Sequence, residues 1–368
     1  MRIGIVAGHH PEIAVQIKAA LLAKDARLEV VVDEVQFRHD APTDRIGLGD
    51  CKIENFNACE RLQAKGCEVI GFACGCVPGY LEELQTELTA RVVDPKTLQG
   101  ERLSPEAYAA ELLATDPKPL AKPFKVGLIG GLGPAATVDL YDKIVRATPA
   151  KNDQEHFKLV VEQNPQTPDR TLALLHGGKD PTLALYHSAK RLQEDGCEVV
   201  IIPCNTAHAF IPYMERHLNV PFVNMQQATL DEIKAKFGDA ARIGLMATTG
   251  TVQTGIYAEK AQSMELPMFV PDEEHQERVM SAIYGPLGAK AGFTTGQCRE
   301  DLLSAAEYLV KTYDCNVLIL GCTELPLILD EGDFECMGKK VFIIDPTSAL
   351  ARKVVQLAQK SYQERGVR

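Results

Sequence analysis

Three stretches of this 368-residue chain open alike: Arg2-Ile-Gly-Ile-Val-Ala-Gly8, Lys125-Val-Gly-Leu-Ile-Gly-Gly131 and Arg242-Ile-Gly-Leu-Met-Ala-Thr248. Each is a basic residue, an apolar run containing glycine, then a small-residue loop ahead of a helical pattern. That is the first strand–helix step of a parallel α/β sheet, met three times. Two of the units share a longer echo. Arg61-Leu-Gln, then Gly66-Cys-Glu-Val69, repeats as Arg191-Leu-Gln, then Gly196-Cys-Glu-Val199, at a constant offset of 130 that sets Cys74 opposite Cys204. Repeats this large are duplicated domains rather than a solenoid. The expected fold class is α/β, built from repeated parallel-sheet domains.

Asp116-Pro-Lys-Pro-Leu-Ala-Lys-Pro123 contains three prolines, which exclude helix and favour extended backbone. It divides the chain into an N-terminal α/β unit at 1–116, a linker at 117–123, and two further units at 124–225 and 226–368. No comparable linker separates the last two, so they are expected to pack as one body.

The chemistry concentrates where strands end. In Gly196-Cys-Glu-Val-Val-Ile-Ile-Pro-Cys-Asn-Thr-Ala-His208, the β-branched run Val199 to Ile202 reads as a strand buried on both faces. Phe210 to His217 follow at helical spacing. Cys204 is then expected at a helix N-terminus, where unpaired N–H groups and the helix dipole favour a thiolate. A second copy, Cys315-Asn-Val-Leu-Ile-Leu-Gly-Cys322-Thr323-Glu324, keeps the same seven-residue interval between its cysteines as Cys197 and Cys204. Two strand-end cysteines in related units suggest one shared site.

Lys and Arg number 39 against 50 Asp and Glu, a net charge of −11 with no dense basic cluster. Nucleic acid is therefore not an expected partner. The first residues lack the pattern of a signal peptide, and no apolar run approaches the ~20 residues that span a bilayer. Eleven cysteines, several inside predicted buried strands, fit free thiols in a reducing compartment. The expected location is the cytoplasm. Cys74-Gly-Cys76 has no second pair to complete a metal site, and no metal is expected. Gly131-Leu-Gly-Pro-Ala-Ala136 matches a dinucleotide fingerprint, but it is read instead as a loop approaching the substrate.

Five motifs in order, Gly130-Gly-Leu-Gly-Pro-Ala-Ala-Thr137, Thr167-Pro-Asp-Arg-Thr171, Pro203-Cys-Asn-Thr-Ala-His208, Ile283-Tyr-Gly-Pro-Leu-Gly-Ala-Lys-Ala-Gly292 and Gly321-Cys-Thr-Glu-Leu-Pro326, resemble the cofactor-independent aspartate/glutamate racemase family. The resemblance covers essentially all of units two and three. It implies two racemase halves and an isomerase acting on aspartate or glutamate, with Cys204 and Cys322 as acid/base groups on opposite faces of the α-carbon. It also implies substrate binding by Asn205, Thr206 and Thr323, and no pyridoxal phosphate or other cofactor. Arg170 can hold a carboxylate bidentately and Lys290 adds a compact charge. Both match cationic positions of the aspartate-specific branch. Isomerisation or decarboxylation of another small acid on the same scaffold, and non-catalytic amino-acid binding, stay open. A homo-oligomer, as a dimer, is expected.

The resemblance leaves residues 1 to about 120 over. This unit keeps Arg45 roughly where unit two has Arg170, and Cys74 where it has Cys204, but Gly75-Cys76-Val77-Pro78 lacks the Asn-Thr pair. It reads as a duplicated half that has lost part of its site, serving either as structural cover or as a second ligand pocket.

Overall fold

The computed structural model describes residues 1–34, 45–73, 80–96 and 101–366; Cys74, the Gly75–Pro78 loop and Pro42–Asp44 lie outside the described residues. The chain divides into two compact units, Met1–Lys122 and Pro123–Arg368. Among the described residues no helix is long and apolar enough to cross a membrane.

The first unit runs β1 (Arg2–Val6), α1 (Pro11–Lys24), β2 (Glu29–Asp33), α2 (Arg45–Ala64), β3 (Val69–Phe72), α3 (Leu81–Glu87), β4 (Arg91–Val92) and α4 (Pro105–Ala114). Its sheet is parallel, in the order β2-β1-β3-β4. Ile3, Ile5 and Val69 face α1 and α4, while Val6, Ile70 and Phe72 face α2 and α3. Burial on both faces explains the unbroken apolar strands.

The second unit repeats this plan twice. Its first half has β5 (Lys125–Gly130), α5 (Pro134–Ala147), β6 (Lys158–Gln163), α6 (Arg170–Leu175), α7 (Thr182–Glu194), β7 (Val199–Ile201) and α8 (Ile211–Met214). The sheet order is β6-β5-β7, extended by a parallel bridge from Val200 to Phe222. The 130-residue echo is physical. A Cβ on Gly4 would lie 3.0 Å from Leu62, and one on Gly127 would lie 3.0 Å from Leu192, the residue 130 further on. In both units a strand glycine lets the returning helix approach.

The second half has α9 (Met225–Phe237), β8 (Ile243–Ala247), α10 (Thr249–Gln253), α11 (Ile256–Ser263), β9 (Met268–Phe269), α12 (Glu273–Tyr284), α13 (Gln297–Tyr313), β10 (Val317–Gly321), β11 (Gly332–Cys336), β12 (Lys339–Ile344) and α14 (Pro346–Arg365). Its sheet order, β11-β12-β10-β8-β9, is the same parallel core with one antiparallel edge strand.

One helix of the second half crosses to the sheet of the first. Leu350, Ala351, Val354, Val355 and Ala358 of α14 pack with Val126, Leu128, Val199 and Ile201 of the first half, whereas Leu230 and Ile233 of α9 pack with Ile243 and Leu245 of the second. Burying each larger α14 side chain contributes about 1.5–3 kcal/mol. Asp345 caps α14, accepting from Thr347 N at 2.8 Å and Ser348 N at 3.1 Å, and also takes Lys143 of α5 at 2.7 Å. Arg352 of α14 pairs with Glu232 of α9 at 2.7 Å. These contacts make residues 123–368 one body.

Candidate active site

The site lies beyond the carboxyl ends of β5, β7, β8 and β10, where open α/β sheets bind ligands. A small cleft is lined by Leu132, Arg170, Thr171, Cys204, Asn205, Thr206, Thr248, Tyr284, Lys290, Gly321, Cys322, Thr323 and Glu324. All seven side chains singled out from the sequence therefore face one cavity. The first half supplies Cys204 and the second supplies Cys322.

Cys204 is not followed by the expected helix over 210–217. The chain turns through 3-10 geometry at Thr206–Phe210, makes the single α-turn α8, and turns again at Glu215–His217. Pro212 cannot donate the N–H that a continuous helix through this stretch needs. Helix dipole therefore gives way to a network of hydrogen bonds. His208 Nε2 accepts from Met225 N–H at 3.1 Å, which leaves the proton on Nδ1 to donate to the Cys204 carbonyl at 2.9 Å. Full burial pulls the His208 pKa down to about 4, so the ring stays neutral. Gln226 donates to the Asn205 carbonyl at 2.9 Å, and Tyr257 donates to Asn205 Oδ1 at 2.7 Å. Asn205 Nδ2 is buried without a hydrogen-bond partner, leaving a donor for a ligand.

Thr206 is placed differently from a free substrate donor. Its hydroxyl lies 3.1 Å from that of Thr248 and 2.9 Å from that of Thr251, and these two are 3.1 Å apart. This buried triangle ties the first half to the cap of α10 in the second.

Arg170 opens α6. Nη2 donates to the Leu132 carbonyl at 2.9 Å and Nη1 to that of Pro168 at 3.1 Å, while Nε is buried without a partner. Burial opposes its charge, but its neighbours, Cys204 first and then Asp169 and Tyr284, outweigh this and hold the guanidinium pKa above its ordinary value.

On the other side Cys322 Sγ donates to Glu324 Oε2 at 3.0 Å. Glu324 Oε1 accepts from Lys290 Nζ at 2.6 Å. Thr323 Oγ1 lies 3.4 Å from Glu324 Oε2. Burial first, and the Glu324 charge second, push the Cys322 thiol well above its ordinary pKa. Burial lowers the Lys290 pKa, but Glu324 and then Cys322 outweigh it, and the ammonium ends above its ordinary value. Tyr284 is pushed up to about 12 by burial and stays a neutral phenol.

Glu324, Thr248 and Tyr284 were not assigned roles from the sequence. A signal existed for Glu324, a carboxylate two residues after a strand-end cysteine. Thr248 closes the third repeated opening, and Tyr284 lies inside a recognised motif. His208, Gln226 and Tyr257 became legible only from their contacts.

Among the lining residues are two cations and one carboxylate, leaving a net positive charge when both thiols are protonated. A small acid of net charge −1 complements it. The class so defined is an α/β protein with a compact, thiol-lined pocket for a small acid, built from two related halves.

Residues 129–354 match the family described as Asp/Glu/Hydantoin racemase. The chain is 31% identical over 170 residues to a glutamate racemase of Shewanella sp. (strain MR-4), covering 46% of this chain and 59% of that protein. It thus spans less than two thirds of that relative. It is 24% identical over 239 residues to the broad specificity amino-acid racemase RacX of Bacillus subtilis (strain 168), covering 62% of this chain and 96% of that one. The solved aspartate racemase of Picrophilus torridus is 29% identical with a TM-score of 0.54, covering 64% of this chain and 94% of that chain. The family match extends over more than half of the 368 residues, and the chain belongs to the Asp/Glu/Hydantoin racemase family.

Proposed function

We propose that the protein racemises an acidic amino acid, aspartate or glutamate, by proton transfer at the α-carbon between Cys204 and Cys322, with no cofactor. The observation that carries this reading is that both thiols line one cavity together with Arg170 and Lys290. Inversion needs one proton removed from one face and another returned to the opposite face. A single base could do so only by travelling round the substrate, whereas two thiols exchange roles. The Arg170 guanidinium stands beside Cys204, and the Cys322 thiol donates a hydrogen bond to Glu324. Asn205 Nδ2 and Arg170 Nε, buried donors without partners, suit the α-carboxylate and the charge that spreads onto it as the carbanion forms. Lys290 suits the distal carboxylate. Thr206 acts through the hydroxyl triangle, and Thr323 borders the Cys322 side of the pocket.

The test is incubation with L-aspartate and L-glutamate separately in D2O with reductant, following Cα deuteration by NMR and the D enantiomer by chiral chromatography. Deuteration with inversion is expected. Exchange without inversion would leave one working thiol. Neither signal, with the thiols confirmed reduced, would reject the reading.

A further inference from the structure

Glu324 serves two partners at once. Oε1 holds the Lys290 ammonium at 2.6 Å while Oε2 accepts from the Cys322 thiol at 3.0 Å. The Glu324 side chain is 8% exposed, against 28% for Lys290. A carboxylate held by a lysine is a weak base, because protonating it would strand a partly buried ammonium. While this pair stands, the proton therefore stays on the Cys322 sulfur. The cleft is also small in this state, and both partners of the pair line it.

Resting on the racemase reading, we propose that the Lys290–Glu324 ion pair makes activation of Cys322 conditional on a second carboxylate in the substrate. A distal carboxylate arriving at Lys290 competes with Glu324 for the ammonium and sets a like charge beside it. Both changes increase the proton affinity of Glu324. The proton then passes from Cys322 Sγ to Glu324 Oε2, leaving a thiolate. That thiolate removes the Cα proton, and the Cys204 thiol returns one to the opposite face. One proton leaves Cα and one arrives. The single negative charge passes from Glu324 through Cys322 and the carbanion to Cys204, beside Arg170. A substrate whose side chain ends in a neutral amide leaves the pair intact, so selection falls on kcat as well as on KM.

L-aspartate and L-asparagine have nearly the same shape and differ in this charge. The wild-type protein is expected to deuterate aspartate with a saturating rate about tenfold or more above that for asparagine. Lys290→Gln releases Glu324 and should raise the asparagine rate towards the aspartate rate, while KM for aspartate rises. Glu324→Gln keeps the side-chain volume but removes the acceptor; both rates should fall and their ratio should approach one. Thermal unfolding of each variant checks that it is folded, and the two variants predict opposite changes for asparagine. The proposal is overturned if Lys290→Gln slows both substrates alike, or if Glu324→Gln keeps the wild-type ratio. A wild-type protein that exchanges neither aspartate nor glutamate would overturn the racemase reading itself, and this proposal with it.

Discussion

In the N-terminal unit the sheet face carrying Ile3, Ile5 and Val69 is covered by α1 and the unit's own α4. In the first half of the second unit the corresponding face, Val126, Leu128 and Val199, is covered by α5 and by α14, which arrives from the far end of the chain. The difference is written in one position of the third strand. A Cβ on Gly71 would lie 2.9 Å from both Leu112 and Tyr108 of α4, so that helix lies tight on the sheet and Tyr108 donates to the Val93 carbonyl at 2.6 Å. The counterpart of Gly71 at the offset of 130 is Ile201, a large side chain that interlocks with α14. One unit closes on itself, while the other needs a helix from its sister half. That dependence binds two halves into one body and holds a cysteine from each half at one cavity.

The comparison breaks most readily at α14. Ending the chain before Pro346 should abolish cooperative unfolding of the second unit, because the first half would expose a bare sheet face. Residues 1–122 expressed alone should still unfold in one transition, read by circular dichroism in urea. Loss of both transitions would show that the N-terminal unit is not self-sufficient.

Next in size is the effect of the thiols. Cys204→Ser and Cys322→Ser should each lower inversion of aspartate or glutamate by about 10²–10⁴-fold, the range for losing a positioned acid or base. Cys67→Ser, at the repeat counterpart of Cys197 and not among the residues that line that cavity, should leave the rate within about twofold. Equal losses in all three would remove the distinction between site and scaffold thiols.

His208 sharpens the contrast through pH. An unfolded imidazole takes a proton near 6.5, whereas the buried ring does so only at about 4. As pH falls through that window the unfolded state gains the proton first, so stability is lost, by roughly 3 kcal/mol in all. Lys260 adds to the same direction. Urea midpoints of the second unit should therefore fall between pH 6.5 and 4, and His208→Gln should flatten that arm. An unchanged slope would mean the Nδ1 and Nε2 contacts do not hold the ring neutral.

The smallest effect tests the close fit of α4. Gly71→Ala should destabilise the N-terminal unit by about 1–3 kcal/mol through overpacking against Leu112 and Tyr108. The second unit should be unaffected. No change in the urea midpoint would mean α4 yields easily and the glycine is not what lets it close the sheet.

Much of this molecule could be read from residue order. Parallel strands buried on both faces must be continuous apolar runs, and a helix packed on them demands small residues, so the three openings and the 130-residue echo declared the α/β class and the duplication. The strand-end cysteines were visible because polar residues after a buried strand emerge at one edge of the sheet, whereas Arg170 and Lys290 were legible through motifs that resemble the racemase family. Tertiary structure alone decided the rest. The crossing of α14 to the first half depends on which apolar stripe meets which sheet face, and several pairings satisfy the same pattern. The regular helix expected after Cys204 gave way to short 3-10 and α turns, because Pro212 and the His208 and Gln226 contacts outweigh helical periodicity. Glu324 stands two residues after Cys322 in the chain, yet its tie to Lys290, 34 residues away, exists only once the 3-10 turn Ala289–Ala291 is folded beside the end of β10. Short-range pattern sets what each segment can become; which distant charges meet is fixed by packing, since a buried ion pair forms only where the fold removes water from both partners together.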